Sequence, residues 1–399
     1  MESGSTASGL TARKRRAVGL IAISLLALAL AGLTWIAPSV HLGEQAKPKP
    51  ITARHFSPTP SLPTVYPTMY DFASMSVGWA VVAVPVETKV FKTVDGGRHW
   101  RLLSRLGGSY SATIQFVDTT HGFVVTARPH RLYRTTDGGA HWALAAMPAE
   151  TDNGIVFTDT LNGSAWVPPV FPNYWTLYTT EDGGDTWRRL PDLPRGAVEP
   201  VFRGPEAWLS VYASQPGKFY VYASVDRGLA WSPVELALPA GIQPATAAPQ
   251  FFNAQVNLMP GAGVAVSVLF GAECGKGSAC ARPDQAQFVS FDRGGTWARV
   301  SALPGAFSFH DIAYQDVTHW WALGAGSLFK TSDAGQTWQQ VNSMAPSGQS
   351  VLHVVDAQHA WAQLTTFVQT NDGVIHLSAV VVTNDGGLSW SRVPQPQLP

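Results

Sequence analysis

Seven aspartates recur in one eight-residue setting, Ser/Thr-x-Asp-x-Gly-x-x-Trp. They are Asp95 with Trp100, Asp137 with Trp142, Asp182 with Trp187, Asp226 with Trp231, Asp292 with Trp297, Asp333 with Trp338, and Asp385 with Trp390. A set of carboxylates suggests acid–base catalysis or a metal site. The spacing suggests something else. An Asp two residues after a hydroxyl and two before a glycine suits a tight turn. The carboxylate accepts turn N–H groups and the glycine tolerates a positive φ. Seven copies, one per repeat, cannot converge on one site. The boxes are therefore read as structural, with no metal and no cofactor assigned to them.

The starting positions of the boxes differ by 42, 45, 44, 66, 41 and 52 residues. A period near 45 residues is what one four-stranded propeller blade consumes. A second column lies upstream of each box. Phe72 precedes Gly78-Trp79, Phe116 and Asp118 precede Gly122-Phe123, and Phe157 and Asp159 precede Gly163. Val201 leads to Ala207-Trp208, Tyr314 and Asp316 to Trp320-Trp321, and Val354 and Asp356 to Ala360-Trp361. This column reads as the first hairpin turn of each blade. Only the fifth unit fits it poorly. Composition agrees: 37 Gly, 29 Pro and 15 Trp suit short strands joined by turns.

These residues resemble the Asp-box, or BNR, repeat found in sialidases and in other propellers. Seven boxes with the Phe-x-Asp…Gly-Trp column are most similar to the photosystem II assembly/stability factor-like BNR propellers. The resemblance covers residues 67–399 and implies an all-β, seven-bladed β-propeller used as a binding platform. It does not imply photosynthesis, because the repeat is shared by enzymes, receptors and assembly factors.

Strand alternation then assigns two faces. The strand 1–2 turns and the box turns fall on one face. The strand 2–3 loops and the connections between blades fall on the other. The second set is longer and less regular, and irregular loops on a rigid scaffold are where binding concentrates. Its candidates are Arg128 and Arg131 beside Pro129 and His130, Tyr174 and Trp175 at the end of 168–175, Lys218 within 215–220, and the stretches 243–252 and 269–285.

Cys274 and Cys280 lie in a glycine-rich insertion, and outside a membrane they would pair as a disulfide worth about 2 kcal/mol. Two cysteines without nearby histidines make a poor metal site. The lysine in that insertion, Lys276, has no following Ser/Thr and the spacing is wrong for a P-loop. Gly261-Ala262-Gly263 is a lone Gly-x-Gly expected in a strand, without a dinucleotide fingerprint. A glycoside hydrolase is the alternative to a non-catalytic platform, with a glycan as its ligand, and such an enzyme needs two carboxylates flanking the scissile bond. Glu87, Glu150, Asp152, Glu199 and Glu273 are available, but no spacing pairs them. The Arg-Ile-Pro signature of sialidases is absent.

The remaining chain reads as topology. Residues 1–16 end in Arg13, Lys14, Arg15 and Arg16, and residues 17–36 carry no charge. Twenty such residues span about 30 Å, one hydrocarbon core. The basic cluster predicts a single-pass signal anchor with the C-terminal bulk extracytoplasmic. The alternative is cleavage after Ala31 and secretion. Residues 37–66 carry Pro38, Pro48, Pro50, Pro58, Pro60 and Pro63 and read as a semi-rigid spacer. With 27 basic and 27 acidic residues the chain has no bulk charge for nucleic acid, so a protein is the expected partner.

Overall fold

The computed structural model describes residue 66 and residues 68–398, apart from 149–153, 168–174, 195, 212–218, 237–250, 272–283, 301–311, 325, 347–348 and 371–372. The anchor at 17–36, the linker up to residue 65, Tyr174, Lys218, Cys274, Cys280, Glu150, Asp152 and Glu273 lie outside the described residues.

The box-to-box period becomes seven four-stranded antiparallel sheets, each with its strands in sequence order. Blade 1 spans Thr68–Gly107, blade 2 Ser109–Ala145, blade 3 Ile155–Arg189 and blade 4 Val201–Leu236. Blade 5 spans Phe251–Val300, blade 6 Ile312–Asn342 and blade 7 Gln349–Arg392. Strand burial follows position in the blade. The second strand of blade 1, Gly78–Ala83, is buried at every residue, because both its faces meet a neighbouring blade. Fourth strands such as Arg188–Arg189 and Ser391–Arg392 are exposed and polar. That gradient explains the short apolar runs such as Trp79-Ala80-Val81-Val82 in the sequence.

The core is divided into seven clusters, one at each blade junction. Phe123, Val125 and Leu132 of blade 2 meet Phe157 of blade 3. Trp208, Phe219 and Val221 of blade 4 meet Ala254, Val256 and Val266 of blade 5. The last junction closes the ring: Tyr70, Ala80, Val82 and Phe91 of blade 1 pack with Trp361, Val380 and Val393 of blade 7. Blades 1 and 7 are each built from one continuous stretch, so closure uses side chains and no exchanged strand. Trp100 Nε1 donates to Pro394 O at 2.8 Å, and the Phe72 and Trp361 rings lie 5.3 Å apart.

Blade 5 departs from the first-turn column for a local reason. Its first turn is made by Pro260, Gly261 and Ala262, with Gly261 at φ +73°. The Gly261-Ala262-Gly263 expected in a strand is therefore the turn itself.

Candidate binding face

The seven box turns share one hydrogen-bond scheme. The Ser/Thr hydroxyl donates to the Asp Oδ1 at 2.7–2.8 Å. The same hydroxyl accepts the N–H of the box glycine at 2.7–3.0 Å. Asp Oδ1 also accepts the N–H four residues on, at 2.8–3.0 Å. These donors hold the carboxyls low. In Asp182, Asp333 and Asp385 the hydroxyl four residues on is the first cause; in Asp292 it is the N–H of Thr296; all four sit at about 2. The carboxylates are thus occupied by their own turns. Among the described residues no three His, Cys, Asp or Glu side chains come together to hold a metal ion.

The residue after each Asp has φ between +56° and +74°, and its N–H donates to the first turn of the same blade at 2.7–3.3 Å. Gly96 N meets Ser76 O, and Gly386 N meets Gln358 O. Both turn types therefore share one end of the ring, as the strand alternation predicts. The box turns also press on the preceding blade. A Cβ on Gly97 would lie 2.2 Å from Val393 Cγ1 of blade 7. Trp142 and Trp297 bond their own box glycines, whereas Trp100 and Trp187 donate to Pro394 and Ala146, at the ends of the preceding blades.

Several cations at this end serve as braces between blades. Arg134 Nη1 reaches Asp185 Oδ2 at 2.9 Å and Asp182 O at 3.3 Å. Lys330 Nζ donates to Ala357 O at 3.2 Å and lies 3.3 Å from the Trp321 ring centroid. Burial pushes its amine down to about 8. Arg203 Nη1 donates to Met259 O at 2.8 Å and Gly263 O at 3.1 Å.

The opposite end carries the strand 2–3 turns. Blade 2 makes this turn at Arg128-Pro129-His130, with a cis Arg128–Pro129 bond. Thr126 Oγ1 donates to Pro129 O at 2.9 Å and fixes the turn from beneath. Tyr133 OH donates to Gly107 O at 2.9 Å, and Arg131 Nη1 donates to Tyr133 OH at 3.3 Å. This places the Arg131 guanidinium beside the end of blade 1. There the strand register sets Lys89 opposite Arg105. Glu87 Oε1 lies 2.5 Å from Arg105 Nη1 and 3.7 Å from Lys89 Nζ. Glu87 thus serves Lys89 and Arg105 where blade 1 ends, Arg131 lies beside that end, and Arg128 belongs to the same turn as Arg131. Arg128 and Arg131 are exposed, and Val86 stands exposed in the neighbouring turn of blade 1.

The sequence singled out Arg128 and Arg131 and missed Lys89 and Arg105. Their link is visible only through the pairing of the third and fourth strands of blade 1. Trp175 was expected as an exposed anchor. It is half-buried and packs against the cluster of Trp166, Leu177 and Leu190 between blades 3 and 4. Glu87, a candidate carboxylate, is committed to Arg105. Glu199 sits in the connection into blade 4. Glu199 is exposed by surface area, and partial desolvation by the surrounding chain pushes its carboxyl up to about 7.

No family profile matches the chain. It is 26% identical over 276 residues to the photosystem II assembly protein Ycf48 of Synechococcus sp. (strain JA-2-3B'a(2-13)), covering 68% of this chain and 73% of that protein. A solved structure of YCF48 bound to D1 peptide aligns at TM-score 0.43 and 19% identity, over 82% of this chain and 91% of that one. The GH74 xyloglucanase from Xanthomonas campestris aligns at TM-score 0.48 and 13% identity, over 81% of this chain and 59% of that one. By sequence, the chain's homologues are the Ycf48 photosystem II assembly proteins.

Proposed function

We propose that this propeller is a non-catalytic platform that binds a protein partner through the end opposite the box turns, held outside a membrane by an N-terminal anchor. The sequence similarity to Ycf48 assembly proteins over most of the chain carries the reading. The solved YCF48 complex has a D1 peptide as its ligand. The corner formed by Lys89, Arg105, Arg128 and Arg131 supports the choice of face, since exposed guanidinium groups are common interface anchors and steer acidic partners. The anchor is supported by the uncharged run at 17–36 behind Arg13, Lys14, Arg15 and Arg16.

Crosslinking of the full chain in its native membrane, followed by mass spectrometry, identifies the partner. Arg128→Glu and Arg131→Glu should then weaken its capture at least tenfold while the melting temperature holds. Arg98→Glu, on the box end, should leave capture unchanged. Equal losses from both ends would sink the choice of face. Release of reducing sugar from a glycan panel, abolished by one loop carboxylate variant, would replace the platform with a glycoside hydrolase. N-terminal sequencing of the native protein tests the anchor, and a mature terminus near Gly32 would make it a secreted protein.

A further inference from the structure

The junction of blades 5 and 6 is not apolar throughout. On blade 5, Gln255, Ser267 and Gln287 stand directly opposite one another on the first, second and third strands. Asn257 lies two residues along from Gln255, on the same side of the first strand. Their alternate neighbours Val256, Val266 and Phe288 face blade 4. The four polar residues therefore face blade 6, next to Ala265 and Val289, which pack there against Ile312 and Trp320. The same second-strand position holds Val81 and Leu323 in blades 1 and 6, and Ser210 and Gln363 in blades 4 and 7, where Ser210 Oγ donates to Ala254 O and Gln363 Oε1 accepts Tyr70 N.

The row is half satisfied. Gln255 Nε2 donates to Asn257 Oδ1 at 3.4 Å, and Gln287 Nε2 meets Tyr314 OH of blade 6 at 2.8 Å. Four buried atoms have no partner among the described residues: Gln255 Oε1, Asn257 Nδ2, Ser267 Oγ and Gln287 Oε1. Ser267 is 0% and Gln287 3% exposed, so bulk water does not serve them. A buried polar atom left unpaired is costly, and native proteins satisfy such groups with a protein partner or with ordered water.

We propose that this wall is a binding site for one neutral group that donates two hydrogen bonds and accepts two. Two of the open valences are carbonyl acceptors. One is an amide donor, and the hydroxyl of Ser267 supplies the other donor. Water has that complement, and so does a carboxamide, whose NH2 would serve Gln255 and Gln287 while its oxygen accepts from Asn257 and Ser267. The N–H donor of Asn257 opposes a metal cation and the two carbonyl oxygens oppose an anion, so neither matches the set. Gln255 and Asn257 lie on the innermost strand of the blade, which opens the row toward the axis of the ring. The site is separate from the basic corner of blades 1 and 2 and does not depend on the platform reading.

A crystal structure of the full chain, at a resolution that shows ordered solvent, tests this. Crystals would be left unsoaked or soaked in acetamide. The expected result is one ordered water within hydrogen-bond distance of at least three of the four atoms. Replacement of that water by acetamide would make a carboxamide the ligand class, and a retained water would make it a solvent site. Either form carries the proposal. Ser267→Val should lose the solvent peak while the blade stays intact; if that variant does not fold, the wild-type density decides. A dry junction in which the four side chains pair with one another would overturn it, as would a metal ion bound there.

Discussion

The side-chain amide of Gln115 holds both backbone groups of Phe157. Gln115 Nε2 donates to Phe157 O at 2.8 Å, and Phe157 N donates to Gln115 Oε1 at 2.9 Å. The innermost strand of each blade has a free edge, and unpaired edge groups need partners. Blade 2 supplies them to blade 3 through this one residue. Other junctions do the same with different chemistry. Asp71 Oδ2 accepts Phe116 N between blades 1 and 2, and Gln363 Oε1 accepts Tyr70 N at 3.4 Å between blades 7 and 1. Gln115→Leu would keep the volume and remove both bonds. It should cost about 2–4 kcal/mol, the penalty for two half-buried backbone groups left unpaired. Thermal unfolding that matches the wild type would show that water replaces the amide without loss.

Closure without an exchanged strand makes the junction of blades 1 and 7 depend on aromatic packing. Trp361 is 4% exposed, lies against Phe72, and stacks on His353 at 3.9 Å. Trp361→Ala should cost about 3–5 kcal/mol, as for other large-to-small core changes. Limited proteolysis should then cut first near the two ends of the ring. Cuts distributed evenly among the blades would argue that this junction is no weaker than the others.

Two adjacent residues of the fifth box should respond with opposite signs. Arg293 has φ +56°, a conformation that costs a residue with a Cβ about 1 kcal/mol or more. Its side chain is mostly exposed, and its ion pair with Glu206 is long at 3.6 Å. Arg293→Gly should therefore raise stability by about 0.5 kcal/mol, after the chain entropy of glycine is subtracted. Gly294 has φ +84°, and a Cβ there would lie 2.3 Å from Trp208 Cη2 of blade 4. Gly294→Ala should lower stability by at least about 2 kcal/mol through strain and a clash with a fully buried ring. Paired melting curves in one buffer settle both. Loss of stability in Arg293→Gly would mean that the exposed ion pair outweighs the backbone strain.

The seven boxes made the fold legible because each motif closes on itself. The Thr135 hydroxyl, the Asp137 carboxylate and the N–H groups of Gly139 and His141 bond one another within seven residues, so the spacing alone carries the turn. Blade count and the pairing of both turn types at one end follow from that repeat. The junctions were not legible. Gln115 meets Phe157 across 42 residues, and nothing near either one marks the contact. The basic corner was half visible: Arg128 and Arg131 belong to one loop, whereas Lys89 and Arg105 join them through strand register. Trp175 misled because an aromatic beside a loop reads the same whether it faces solvent or the next blade. The polar row of blade 5 looks like an ordinary alternating strand until the facing blade is placed against it.

Acid should unfold the ring in a narrow window, and the sign follows from the direction of each shift. Asp182, Asp292, Asp333 and Asp385 are held at about 2, against an ordinary value of 3.8. A depressed carboxyl contributes stability that is present above its unfolded value and lost as pH falls through its folded value. The melting temperature should therefore fall steeply between about pH 4 and pH 2 as the box turns lose their acceptors. Glu199 acts in the opposite sense. Its carboxyl is pushed up to about 7 from 4.5, so ionising it opposes folding, and that cost is relieved as pH falls from 7 toward 4.5. Stability should thus rise slightly on mild acidification before the box turns fail. Glu199→Gln should flatten the rise and leave the acid limb alone. Asp182→Asn should melt lower at neutral pH and lose less below pH 4, because one of the titrating turns is gone. The donors to these carboxylates are hydroxyl and amide groups and carry no charge. Salt should accordingly shift the share of these four turns little, since screening acts on charge pairs and not on neutral donors, whereas Asp95 and Asp137 also meet the His99 and His141 rings at 2.6 Å. An acid limb that moves by more than about one pH unit when sodium chloride is raised to 1 M would show that carboxylate–histidine pairs, and not the turns with neutral donors, set the acid stability of the ring.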